Sequence, residues 1–139
     1  MTESRPGLAR PGDPKDLAGR VAVVTGSSRN IGRAIALKLA SAGAAVMVNG
    51  RTAAAEAEAV AEEIRKAGGR AAVKIADVAD PEAAAALIAA AVESFGRLDI
   101  LVNNAAVRRE IDFAQLDYRE WREITSIILD GAYLCSHSR

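Results

Sequence analysis

A disulfide framework and a thiolate or imidazole metal centre are excluded at once. The 139-residue chain holds one cysteine, Cys135, and one histidine, His137. Disulfides need pairs of cysteines, and a structural zinc site takes about four Cys or His ligands. An excess of one charge is lacking too: 18 Lys+Arg balance 18 Asp+Glu, for a formal net charge of +0. With no basic excess, neither nucleic acid nor an anionic membrane is an expected partner. The longest strictly apolar run, Ala83 to Val92, covers ten residues, whereas a membrane-spanning helix needs about 20. The N-terminal residues carry Pro6, Pro11 and Pro14 but no apolar stretch of signal-peptide type. The expected setting is therefore cytoplasmic.

What is present reads as an ordinary globular domain. Half of the residues are hydrophobic and 26% are charged, and the length is that of one domain. Residues 1–16, broken by prolines and by Gly7 and Gly12, are expected to form a flexible tail. Residues 17–139 are expected to form one domain. Residues 21–25, Val-Ala-Val-Val-Thr, are a continuous β-branched run suited to a strand buried on both faces. Residues 31–42 follow with Ile31, Ile35, Leu39 and Ala42 at helical spacing, closed by Gly43. Further strands are expected at 45–48, 71–76 and 98–102. Helices are expected at 53–67, from Pro81 (capped by Asp80) to about 95, and from Tyr118 to about 136. Strands alternating with helices specify a parallel, doubly wound α/β sheet with right-handed crossovers.

The most informative segment is Thr25-Gly26-Ser27-Ser28-Arg29-Asn30-Ile31-Gly32. It leaves a buried strand and opens a helix. Gly26 permits a sharp turn, Gly32 permits close helix–sheet packing, and the free N–H groups at the helix start favour an anion. Ser27 and Ser28 are candidates to bond a phosphate, to cap the helix, or both.

The turn, Asp77-Val78 after the third strand, and Asn103-Asn104-Ala105-Ala106 after the fourth together resemble the short-chain dehydrogenase/reductase family. The resemblance covers residues 17–139, the first half of a family member. It implies a Rossmann-type fold, N-terminal half only, with strand order 3-2-1-4. The fourth strand would then be an apolar edge. It also implies that Gly26, Ser28, Arg29, Asn30, Ile31, Gly32, Arg51, Asp77, Val78, Asn103 and Ala105 bind the cofactor. Two positions depart from the family pattern. Asn30 stands at the usual middle glycine, though Asn is the side chain that best tolerates left-handed angles. Ala106 replaces the last glycine of the second motif. The end of the second strand, Asn49-Gly50-Arg51, lacks the carboxylate that holds a ribose 2′-hydroxyl, and the next one is Glu56. Arg51 and Arg29 match positions where basic residues meet a 2′-phosphate, so NADP(H) is expected over NAD(H).

The resemblance implies hydride transfer between nicotinamide and a small-molecule carbonyl or alcohol. In the family a Ser and a Tyr-x-x-x-Lys pair handle the proton. Tyr118 is followed four positions on by Arg122, and Tyr133 by His137. No catalytic residue is therefore assigned, and the 139 residues alone are expected to be inactive. The alternative reading is a non-catalytic nucleotide-binding fragment. Ile128 stands where the family carries Asn in Asn-Leu-x-Gly. Trp121 is expected in the core. Ile124, Ile127, Ile128 and Leu134 either pack on the sheet or build a homo-oligomer through the fourth helix. Asp99, Asp112 and Asp117 have no evident partner, and no metal site is expected.

Overall fold

A computed structural model describes residues 15–138. Apart from Lys15 and Asp16, which start a turn, the expected tail lies outside the described residues. The strands are β1 (Val21–Val24), β2 (Ala45–Gly50), β3 (Ala71–Ile75) and β4 (Ile100–Val102). They form one sheet in the order β3-β2-β1-β4, with every pairing parallel. This is the expected Rossmann-like order. β1 and β2 are buried at every position, as their unbroken apolar runs require. β3 and β4 lie at the edges and are only partly buried.

Neighbouring side chains on a strand point to opposite faces, and this splits the core in two. Val24, Val46 and Val48 face Ala36 of α1 (Asn30–Ser41) and Ala57, Val60 and Ile64 of α2 (Ala54–Lys66). Val23 and Met47 face Ala84, Leu87, Ile88 and Ala91 of α3 (Pro81–Phe95). Helix α3 begins as expected: Pro81 occupies its first turn, and the Asp80 side chain accepts the Glu82 N–H.

The expected single helix from 118 is interrupted. It consists of α4 (Tyr118–Thr125), a wide π turn (Ser126–Asp130) and α5 (Gly131–His137). Thr125 Oγ1 donates to the Trp121 carbonyl, and Ser126 Oγ donates to that of Glu123. Such back-bonding competes with the regular ladder. Beyond the turn Gly131 lies so close to Val78 that a Cβ there would sit 2.7 Å from Val78 Cγ2.

Other expectations need correction. Trp121 is not core: it is 50% exposed, because no described element covers its side of α4. Ile31 is 71% exposed, since α1 buries its first turns through Gly32 and Ala36 instead. The three aspartates are all partnered. Asp112 accepts from Ala114 N–H ahead of a short 3-10 turn, and Asp117 accepts from Glu120 N–H to cap α4. Asp99 accepts from Arg97 (2.6 Å), the Val21 N–H (2.9 Å) and Arg20 (3.3 Å). It thereby ties the start of β1 to the approach to β4.

The Arg97 hydrogen bond, with help from Val21 and Arg20, holds the Asp99 carboxyl at about 2, below its ordinary 3.8. A depressed carboxylate stabilises the fold above its unfolded-state value and loses that contribution as pH falls towards the folded one. Asp99→Asn is therefore expected to lower the melting temperature at neutral pH. It should also flatten the loss of stability between pH 4 and pH 2, read from thermal melts across that range.

Candidate functional site

The carboxyl ends of the strands open on a cleft of about 790 Å³, at the end of the sheet where doubly wound folds bind ligands. Its floor is the turn after β1. Gly26 (φ +62) and Asn30 (φ +52) both take left-handed angles, so Asn30 serves where the family pattern has glycine. Arg29 is the extended N-cap residue of α1, and no side chain caps this helix. The first N–H groups of α1 are thus left without a capping side chain, next to the positive end of the helix dipole. The serine expectation is corrected accordingly. Neither Ser27 nor Ser28 is a cap. Ser27 is wholly buried, donates to the Val24 carbonyl at 2.7 Å and accepts the Asn49 N–H at 2.9 Å. Ser28 alone of the two lines the cleft.

Two largely part-buried networks fix the turn. On one side Asn49 Oδ1 accepts the Gly26 N–H at 3.1 Å. Its amide also donates to the carbonyls of Lys74 (3.0 Å) and Ala76 (3.2 Å). On the other side Thr25 Oγ1 accepts the N–H groups of Asn104 (3.0 Å) and Ala105 (2.9 Å). The Asn104 amide returns bonds to the carbonyls of Thr25 and Gly26, both at 3.1 Å. Gly32 closes the arrangement: a Cβ there would overlap the Gly26 carbonyl oxygen and come within 2.5 Å of Asn104 Nδ2.

Ten of the residues singled out from the sequence line this one cleft: Gly26, Ser28, Arg29, Asn30, Ile31, Gly32, Arg51, Asp77, Val78 and Ala105. Asn103 does not line it; its exposed amide donates to Ser136 Oγ at 3.2 Å. The sequence reading missed Asn49, Asn104, Arg108, Arg109 and Ile127 as lining residues. Asn49 left a trace that could have been followed, since a polar side chain ending a buried apolar strand must find partners. Arg108 and Arg109 left none, because their loop has no pattern.

The cleft wall carries Arg29, Arg51, Arg108 and Arg109 against one carboxylate, Asp77. The Asp77 side chain is engaged in shaping its own turn, accepting the Ala79 N–H at 3.0 Å. Just beyond the wall Glu123 is pushed below the ordinary carboxylate range, first by its hydrogen bond from Arg109, with Arg51 and Arg119 adding to the effect. Burial pushes the Cys135 thiol up, which makes it less nucleophilic. Among the described residues no His, Cys, Asp and Glu side chains gather into a metal-binding group, and no helix is long and apolar enough to cross a membrane.

A parallel sheet with a Gly-rich turn and a basic cleft at its carboxyl ends defines a dinucleotide-binding class of α/β protein. The family described as short chain dehydrogenase matches residues 20–138, and the chain belongs to it. An uncharacterized oxidoreductase of Methylorubrum extorquens is 44% identical over 122 residues, 88% of this chain and 49% of that protein. A 3-oxoacyl-[acyl-carrier-protein] reductase of Synechocystis is 38% identical, over 86% of this chain and 49% of its own length. A solved structure of a putative short-chain alcohol dehydrogenase from Sinorhizobium meliloti superposes with a TM-score of 0.85 at 43% identity, covering 90% of this chain and 49% of that one. The chain thus spans about half the length of the relatives it matches.

Gly32→Ala is expected to cost about 3 kcal/mol or more, because the added methyl meets backbone that cannot yield. Asn49→Ala removes the side-chain partner of the Gly26 N–H and of the Ala76 carbonyl, at an expected cost of about 1–3 kcal/mol. Urea unfolding midpoints of the two variants check both figures.

Proposed function

We propose that this chain is the NADP(H)-binding portion of a short-chain dehydrogenase/reductase that moves a hydride between nicotinamide and a carbonyl or alcohol. The observation that carries the cofactor choice is the end of β2. Asn49 is turned inward and spent on the turn, Gly50 has no side chain, and Arg51 enters the cleft together with Arg29. No carboxylate stands there to hold a 2′-hydroxyl, while two guanidinium groups suit a 2′-phosphate.

The residues present fit such a cofactor. A Cβ on Gly26 would sit 3.0 Å from Ala105 Cα, so this cradle admits close approach only without a side chain. The uncapped start of α1, with Ser28, Asn30, Ile31 and Gly32, would hold the pyrophosphate. Arg29 and Arg51 would hold the 2′-phosphate, and Asp77 and Val78 the adenine. Ala105, packed against Gly26, would border the cofactor at that turn. Asn103 keeps its assignment from its place directly after β4, although it does not line the cleft. When bound, NADP(H) supplies or accepts the hydride. A cytoplasmic setting suits a buried, reduced Cys135.

The alternative reading, nucleotide binding without turnover, applies to the 139 residues by themselves. Tyr118 and Tyr133 are 76% and 63% exposed, neither lines the cleft, and neither is followed by Lys at the required spacing. Of the residues expected either to pack on the sheet or to build a homo-oligomer, Ile127 is buried in the core and Leu134 packs against it, while Ile128 is 42% exposed. Ile128, with the exposed Trp121, Leu129 and Tyr133 of the same segment, is the apolar surface left for a homo-oligomer.

Fluorescence titration is expected to give at least about tenfold tighter binding of NADPH than of NADH, about 1.4 kcal/mol. Arg51→Ala and Arg29→Ala should each narrow that gap. Equal or tighter NADH binding would rule out the NADP(H) assignment. Mixed with NADPH and a panel of carbonyls, including a 3-oxoacyl thioester of the kind named for the Synechocystis relative, the polypeptide should leave the nicotinamide absorbance unchanged. Turnover would show that it carries its own proton donor.

A further inference from the structure

The cleft wall formed by the loop after β4 is held unevenly. At its root Asn104 and Ala105 are bonded to Thr25. Among the described residues, the backbone of residues 106–111 then makes no hydrogen bond, and the segment has no regular structure until Phe113. Yet Ala106, Val107, Arg108 and Arg109 all line the cleft. Val107 leans on the apolar core. Arg108 does not fix the loop: it pairs only with Glu110 two residues on, and both side chains are over four-fifths exposed at 86% and 85%.

Arg109 is different. It reaches fourteen residues along the chain to α4 and grips Glu123 with both arms of its guanidinium, at 2.6 and 3.2 Å. The Glu120 carboxylate stands one turn away at 4.0 Å. Its side chain is 33% exposed, against 86% for its neighbour. A two-pronged Arg–carboxylate pair fixes orientation as well as distance, and Lys cannot reproduce it. Glu123 also feels the charge of Arg51, on the cleft wall after β2. Arg109 and Arg51 line the same cleft, so the pair borders the cleft assigned above to the cofactor.

We propose that Arg109 is a positioning residue for the cofactor cleft: its fork on Glu123 holds the 105–109 wall against α4 and so sets affinity for the adenosine half of the dinucleotide. The inference rests on the NADP(H) reading above and adds a residue to it. Arg109 acts through Glu123 and not by touching phosphate, and this distinction makes it testable.

The experiment titrates the full chain and its variants with adenosine 2′,5′-bisphosphate and with NADPH, and follows hydrogen exchange of the Asn104 and Ala105 N–H groups, the bonded root of the wall, without ligand. Arg109→Ala and Glu123→Ala are each expected to weaken both probes about fivefold, the upper end for a partly exposed pair. The double variant should be no weaker than either single one. Arg109→Lys, which keeps the charge but not the fork, should behave like Arg109→Ala. Exchange of the Asn104 and Ala105 N–H groups should quicken in all of them while the melting temperature stays put. Weaker binding in Arg109→Ala with unchanged or tighter binding in Glu123→Ala would mean that Arg109 meets the phosphate directly, and would overturn the proposal. So would unchanged affinity, or unchanged exchange, in both single variants. Failure of the wild-type chain to bind either probe would sink the dinucleotide reading and this inference with it. Normal wild-type binding with indifferent variants would sink this inference alone.

Discussion

The hydrogen bond from the Gly26 N–H to Asn49 Oδ1 is the constraint around which the molecule is arranged. A chain leaving a buried strand through a tight turn breaks off its ladder and leaves partly buried backbone groups that need new partners. Here Asn49 matches them from one flank and the Thr25–Asn104 exchange from the other. The turn is thereby pinned to β2, β3 and the loop after β4. Once it is pinned, Gly32 is held against the Gly26 carbonyl, α1 packs on the sheet through Ala36, and its first residues line the cleft. Cleft geometry and core geometry follow from the same few bonds.

This arrangement also separates two kinds of polar residue that look alike in sequence. Ser27 and Ser28 are adjacent, but one is consumed by the fold and the other faces the cleft. Asn103 and Asn104 divide the same way, with Asn104 in the network and Asn103 out by Ser136. In each pair one neighbour is bound into the network and the other points away from it.

The alternation of elements was legible because it is written in local patterns: apolar runs of strand length, helix formers, Gly43 and Gly96 as stops, Asp80-Pro81 as a start. The turn was legible because glycine has few other reasons to stand between a buried strand and a helix. What escaped depends on distance along the chain. Asp99 meets Val21 across 78 positions, and Arg109 meets Glu123 across fourteen, with no local trace in either case. Trp121 was expected in the core because the resemblance implies a packing aromatic at that place. The sequence could not disclose that no described element faces it. The interruption of the fourth helix was equally hidden, since Thr and Ser inside a helix bond back only in some contexts.

The parallel order has a consequence for how the chain is made. β1 pairs first with β2 through Val21 and Ala45, and is sandwiched only when Ile100 arrives beside Ala22. Contacts of such separation cost loop-closure entropy and form slowly. During synthesis, therefore, the central strand emerges from the ribosome long before its second neighbour. Its apolar flank must wait through the translation of three helices, and in that interval the nascent domain is most exposed to mispairing and most in need of a chaperone.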